Sequence, residues 1–107
     1  MKEAPRVHIG GEACKLPYNA SLFNISAMSF GSLSSNAILA LNSGAKKGGF
    51  YHNTGEGGLS PYHLEPGGDV CWQIGTGYFG CRTKDGKFDP QLFATKSAHV
   101  QVRMIEL

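Results

Sequence analysis

The segment 53–58, which reads NTGEGG, holds the side chains best suited to chemistry. Asn53 and Thr54 carry hydrogen-bond donors and acceptors, and Glu56 is a carboxylate with a glycine on each side. Because glycine has no Cβ, the main-chain N–H groups of such a segment can face a ligand directly. Two interpretations stay open, a ligand site and a solvent-exposed turn with an incidental carboxylate.

A second segment, 26–31, reads SAMSFG. Its small residues would admit a flat aromatic cofactor, Met28 offers a soft contact, and its backbone N–H groups could bond ring atoms. Simple core packing at the end of a strand is the alternative. We expect the two segments to form two walls of one site.

Other candidate motifs are weaker. The segment 75–80 fits the pattern GxGxxG, but no helix clearly starts after it, so the dinucleotide-binding context fails. Arg82, close to this segment, is a candidate ligand for a carboxylate or phosphate. The histidines His52, His63 and His99 lack the spacing of metal ligands. The cysteines Cys14, Cys71 and Cys81 form no CxxC pair, and we expect them to be small buried residues in a reducing compartment.

Alternating strands and helices must position these residues. The apolar run at 22–28 predicts a strand buried on both faces, as in a parallel sheet. Ser34 or Ser35 can cap a helix over 34–47, and Asp89 can cap a short helix that begins at Pro90. Further strands are predicted over 49–54, 69–75 and 100–107, with a long loop over 55–68 and a short strand over 6–9.

Composition limits the possible classes. Hydrophobic residues make up 41% and charged residues 17%, which indicates a globular chain rather than a disordered one. The net charge of +2 is too small to argue for a nucleic-acid or membrane partner. No window approaches the roughly 20 apolar residues of a membrane span, and no signal peptide is seen. We therefore expect a cytoplasmic location.

The order of elements predicts part of a (β/α)₈ barrel in an α/β chain, with three to four parallel strands and crossover helices. A complete barrel needs roughly 250 residues, and this chain has 107. We therefore expect an incomplete chain, with a lead-in segment at 1–20 and the N-terminal part of the barrel at 21–107.

The two segments, separated by one helix, resemble the FMN-binding synthase domain of glutamate synthase. The similarity is closer to glutamate-synthase-related proteins that have an FMN-binding domain without the full architecture. Residues 72–75 (WQIG) and 78–82 (YFGCR) are similar to that subgroup. The resemblance implies a (β/α)₈ barrel with FMN at the C-terminal ends of its strands.

The resemblance also implies roles for individual residues. It predicts FMN contacts from Ala27, Met28, Ser29, Asn53, Thr54 and Gln73. It predicts a substrate side formed by Phe30, Gly55 and Glu56, with Glu56 as the catalytic carboxylate. Tyr78 stands where the family carries an arginine, and Arg82 is the candidate replacement.

The implied activity is the reductive amination of 2-oxoglutarate to glutamate, with hydride from reduced FMN. The ligands of the family's iron–sulfur cluster lie outside this chain, as do its phosphate loop and glutaminase domain. The expected partners are a 2-oxo acid or imine, ammonia, the rest of the barrel or an electron-donor protein, and we expect this segment to be inactive alone. The alternative is a non-catalytic ligand-binding or assembly module of α/β type.

Overall fold

The computed structural model describes residues 4–107. The chain begins with an antiparallel hairpin of β1 (Arg6–Ile9) and β2 (Tyr18–Ser21). Strands β3 (His52–Asn53), β4 (Val70–Gln73) and β5 (Val102–Glu106) form a parallel sheet in the order β3-β4-β5. Three helices complete the fold: α1 (Ser35–Gly48), α2 (Pro61–Leu64) and α3 (Pro90–Ser97). The structure is thus mixed α/β with a three-stranded parallel sheet, and no helix among the described residues is long and apolar enough to cross a membrane.

Helix α1 follows the prediction closely. The Ser34 hydroxyl accepts a hydrogen bond from the Ala37 N–H at 3.2 Å, which satisfies one of the free donors of the first turn. Ile38 and Ala45 are completely buried. The helix ends at Gly48, one residue later than predicted, and Gly49 takes the left-handed conformation, with φ of 72°.

Gly44 lies inside α1, where a glycine costs roughly 1 kcal/mol relative to alanine. Close packing on the sheet would explain a glycine inside a helix, but a Cβ added at Gly44 would meet nothing within 4 Å. The residue is exposed. Gly44 therefore lies on the solvent side of α1, where no neighbour requires its missing side chain.

The predicted strand at 22–28 is also wrong. Leu22 is 55% exposed and Phe23 is 85% exposed, and only Ile25 pairs, through one parallel bridge to His52. Asn24 explains the break, because its side-chain Oδ1 accepts from the Tyr51 N–H at 3.0 Å. A side chain thus occupies a backbone donor that a longer ladder would use.

The later elements are present but shorter than predicted. The strands predicted at 49–54 and 69–75 shrink to β3 and β4, and the predicted loop at 55–68 contains the short helix α2. Asp89 caps α3 as expected, since its Oδ1 accepts from the N–H groups of Gln91 and Leu92, each at 3.1 Å. The predicted division between a lead-in segment at 1–20 and the barrel part at 21–107 falls inside strand β2. That division stays a prediction.

The sheet has two unlike faces. We call the helix face the side that carries His52, Val70 and Trp72, all completely buried. Trp72 packs on Phe93 of α3, with ring centroids 5.6 Å apart, and on Ile74 and Cys81. Because side chains alternate along a strand, the neighbouring residues face the other way. We call that side the open face; it carries Asn53, Cys71, Gln73, Met104 and Glu106.

Candidate functional site

The segment around Met28 lies against the end of β3. The Asn53 N–H donates to the Ile25 carbonyl at 3.0 Å, and the Met28 N–H donates to the Asn53 carbonyl at 3.2 Å. These bonds run in parallel fashion although residues 26–28 form no regular strand. The structure therefore brings together the two segments that the sequence predicts as walls of one site.

Gly55 makes this close approach possible. Its φ is +72°, a conformation that favours glycine, and a Cβ there would lie 2.9 Å from the Ser29 nitrogen. The Asn53 Oδ1 accepts from the Gly55 N–H at 2.9 Å and holds the turn. Any larger residue at position 55 would push the Ser29 segment away from β3.

Thr54 holds the strands together from inside. It is completely buried, and its hydroxyl donates to the Gly55 carbonyl at 3.0 Å and accepts from the Gln73 N–H at 3.1 Å. Its own N–H donates to the Cys71 carbonyl at 3.0 Å. The side chain therefore fixes the ends of β3 and β4 relative to each other, rather than pointing into open space.

Two cavities lie beside these strand ends. The first, of about 380 Å³, is lined by Leu22, Asn24, Ile25, Ser26, Ala27, Tyr51, Asn53 and Glu106. The second, of about 350 Å³, is lined by Glu56, Gln73, Ile74, Gly75, Thr76, Tyr78 and Leu107. Of the six predicted cofactor residues, Ala27 and Asn53 line the first cavity and Gln73 lines the second, whereas Met28, Ser29 and Thr54 line neither.

Gln73 and Glu106 lie side by side at the ends of β4 and β5. Among the described residues, the Gln73 Oε1 is buried without a hydrogen-bond partner, as are side-chain nitrogens of Asn42, His52 and Trp72. Of these residues, Gln73 alone lines one of the two strand-end cavities, so its Oε1 is a candidate acceptor for a ligand donor. Glu106 approaches Asn53, with Asn53 Nδ2 and Glu106 Oε2 3.5 Å apart. Our sequence analysis missed Glu106; its position at the end of the last predicted strand was the available signal.

Glu56 is exposed at the mouth of the second cavity. A Cβ added at Gly75 would lie 3.3 Å from the Glu56 Cβ, so a side chain at position 75 would crowd the carboxylate. Tyr78, across the same cavity, has φ of 54°, which is strained for a residue with a Cβ. The carboxylate therefore faces a space bounded by the loop that follows β4.

Neither Phe30 nor Arg82 lines either of these two cavities. The Phe30 ring packs on Tyr62, with centroids 4.8 Å apart. Arg82 is exposed, and its guanidinium carbon lies 5.2 Å from the centroid of the Phe79 ring. The structure does not bring Arg82 to the cavity that Glu56 lines, so its predicted role in substrate binding gains no support from position.

Two histidines lie together on the helix face, which sequence spacing did not suggest. The rings of His52 and His63 have centroids 5.1 Å apart, and both residues are completely buried. Burial, with a smaller effect of His63, lowers the pKa of His52 to about 4. Burial also lowers the pKa of His63. Among residues 4–107, no group of three or more possible metal ligands is found.

The cysteines differ from one another. Cys71 and Cys81 are buried thiols, as predicted, whereas Cys14 is exposed. Burial, and then the charge of Glu106, raise the pKa of the Cys71 thiol to about 11. Cys71 therefore stays protonated at neutral pH and is a poor nucleophile.

A larger cavity, of about 540 Å³, lies away from every predicted site residue. It is mostly apolar and is lined by residues 59–61, Leu64 and residues near the end of α3. It offers few polar groups to orient a ligand, so the strand-end cavities remain the better candidates despite their smaller size.

Comparison with known proteins identifies the family. Residues 3–105 match the family described as the conserved region in glutamate synthase. The glutamate synthase large subunit-like protein YerD of Bacillus subtilis is 46% identical over 101 residues, covering 92% of this chain and 19% of that protein. The archaeal-type glutamate synthase [NADPH] of Thermotoga maritima is 46% identical over 54 residues, covering 50% of this chain and 11% of that protein.

The chain thus spans about a fifth of the length of the first of these relatives. No solved structure matches it. The match over residues 3–105 covers nearly the whole chain and both segments of the candidate site. The chain belongs to the family defined by the conserved region of glutamate synthase.

Proposed function

We propose that this chain forms part of the FMN-binding wall of a glutamate-synthase-type oxidoreductase, as a portion of a (β/α)₈ barrel. One observation carries the proposal: the segment around Met28 and the end of β3, distant in sequence, lie against each other through the Met28–Asn53 hydrogen bond. The family relationship supports the class of reaction. The remainder of the barrel and an electron donor would be its partners.

The residues present fit a flavin. Gly55 lets the Ser29 segment lie close against the end of β3, and the unpartnered Gln73 Oε1 can accept a hydrogen bond from a ring N–H. Exposed Ala27 offers a small apolar surface, and Asn53 Nδ2 is a donor held near Glu106. When bound, FMN supplies the hydride chemistry of reductive amination. Thr54 would act from behind the site by fixing the strand ends.

Glu56 would act on the substrate side. An exposed carboxylate between glycines can come close to an ammonium or imine group and stabilise its positive charge. The lining of its cavity includes no basic side chain among the described residues. The chain therefore contributes the half of the site that binds nitrogen, and the carboxylates of a 2-oxo acid would need cations from other parts of the protein.

An FMN titration of the full-length protein tests the proposal. We expect saturable quenching of flavin fluorescence in the micromolar range, and an affinity at least about tenfold lower in Gly55→Ala, whose Cβ would displace Ser29. Gly11→Ala is the matched control, because a Cβ there meets nothing within 4 Å. Absence of saturable binding by the unmodified protein would refute the cofactor assignment.

Glutamate formation by the Glu56→Ala variant separates the enzyme from a non-catalytic binding module. We expect turnover to fall about 10²-fold or more while FMN affinity stays within about twofold, because the carboxylate acts on substrate. Unchanged turnover would show that Glu56 is part of the scaffold. Bound FMN with no glutamate formation by the unmodified protein would favour the binding module.

A further inference from the structure

His63 connects α2 to the segment that would hold the cofactor. Its ring is completely buried, although it belongs to a helix of only four residues. The ring Nδ1 lies 3.2 Å from the Ser60 nitrogen and 2.7 Å from the Ser60 Oγ. The ring Nε2 lies 3.1 Å from the Met28 carbonyl oxygen. Both ring nitrogens are thus engaged, one with the helix cap and one with the wall of the site.

These contacts fix the tautomer of the ring. The backbone N–H of Ser60 can only donate, so Nδ1 must accept and carry no proton. A neutral ring then carries its proton on Nε2 and donates it to the Met28 carbonyl. Burial favours this neutral form, since it lowers the pKa of His63, and the facing ring of His52 is buried and neutral as well.

The bond to Met28 sets the direction of the next N–H group. In a trans peptide the carbonyl of one residue and the N–H of the following residue point to opposite sides, and the described chain has no cis peptide. Since the Met28 carbonyl points to His63, the Ser29 N–H points away from it. The Ser29 nitrogen lies beside Gly55, at the junction of the two walls.

The Ser29 N–H is the one free backbone group in this pair of residues, as far as the described chain shows. The Met28 N–H donates to Asn53, and the Met28 carbonyl accepts from His63. The Ser29 carbonyl accepts from the N–H groups of Ser32 and Leu33, at 3.2 and 3.0 Å. Among residues 4–107 the Ser29 N–H has no backbone acceptor, and Ser29 is only partly buried.

We propose that His63 is a positioning residue: its Nε2–H holds the Met28–Ser29 peptide so that the Ser29 N–H is offered to an acceptor atom of the flavin ring. This inference rests on the proposed FMN site. It assigns a function to a buried residue that touches neither cavity, and it explains why a four-residue helix carries a histidine whose two nitrogens are both bonded.

Two substitutions in the full-length protein separate the contacts of the ring. In His63→Gln the amide nitrogen can replace Nε2 and still donate to Met28, whereas in His63→Asn the amide oxygen can replace only Nδ1 and accept from Ser60. We expect FMN affinity within about threefold of the unmodified protein for His63→Gln. For His63→Asn we expect a loss of about tenfold and a shifted visible spectrum of the bound flavin. Equal affinity and identical spectra for both variants would overturn the proposal.

A measurement on the unmodified protein tests the inference even if the variants fail to fold. Residue-resolved amide hydrogen exchange should show slower exchange at Ser29 when FMN is saturating, while the Met28 amide, already bonded to Asn53, changes little. Saturable FMN binding without protection at Ser29 would refute this inference and leave the proposed function standing. Absence of FMN binding would refute both.

Discussion

The two faces of the parallel sheet differ sharply within single strands. In β4, Trp72 points to the helix face and is completely buried against α3, whereas its neighbour Gln73 points to the open face, is only partly buried and lines a cavity. In β3, His52 packs on His63, while Asn53 bonds to Glu106 across the open face. Because successive side chains along a strand point to opposite faces, residues that stabilise the fold alternate with residues that could bind a ligand. Substitution of one face should affect folding, and substitution of the other should affect binding.

The largest effect should come from the pair Trp72 and Gln73. Trp72→Ala removes a fully buried ring from contact with Phe93 and Cys81, so we expect the free energy of unfolding to fall by about 3–5 kcal/mol. Gln73→Ala, the matched control, should change it by less than about 1 kcal/mol, because the Oε1 that it removes has no partner. Urea unfolding followed by far-UV circular dichroism measures both. Similar losses in the two variants would contradict the division between the faces.

A smaller effect should come from the protonation of His52. Its pKa is about 4 in the folded chain and near 6.5 when unfolded, so the unfolded state binds a proton first as the pH falls. The stability due to the neutral ring is fully present above about pH 6.5 and is lost as the pH falls from there to about 4. One pKa unit corresponds to about 1.4 kcal/mol, so this loss is on the order of 3 kcal/mol.

Unfolding free energies measured from pH 7 to pH 4 would show this loss. In His52→Phe the part of the pH dependence that is due to His52 should disappear, since a neutral ring then occupies the same buried site, while the part due to His63, whose pKa is also lowered by burial, remains. The control is His8→Gln, because His8 lies exposed on β1 and its replacement should leave the pH dependence unchanged. A profile that is equally steep with and without the His52 ring would show that other groups cause the loss.

Sequence reasoning succeeded where local chemistry decides the structure. Ser34 and Asp89 cap their helices as predicted because capping involves residues only two or three positions apart. The adjacency of the Met28 segment and β3 followed from the order of elements. Those inferences need no knowledge of distant contacts.

The failures involve distant contacts. The predicted strand at 22–28 is interrupted because Asn24 bonds to Tyr51, which is 27 residues away. The bond between His63 and Met28 joins residues 35 apart, and neither spacing nor residue type indicates it. In both cases a side chain bonds to the backbone of another element. The hydrophobic pattern of the sequence does not predict such bonds.

The smallest effect should come from the solvent side of α1, where the distinction between packed and open surfaces recurs within a helix. Gly44 is exposed and a Cβ there meets no atom within 4 Å, whereas Ala45, the next residue, is completely buried. Gly44→Ala should therefore raise the free energy of unfolding by about 0.5–1 kcal/mol, because alanine restricts the unfolded chain and favours the helix. Thermal and urea unfolding measure the gain, and Gly68→Ala is the contrasting variant. A Cβ at Gly68 would lie 2.6 Å from the Asn42 carbonyl oxygen, so that variant should lose stability. A loss of stability in Gly44→Ala as well would mean that another part of the protein covers this side of α1, and the outer surface of the helix would then be an interface.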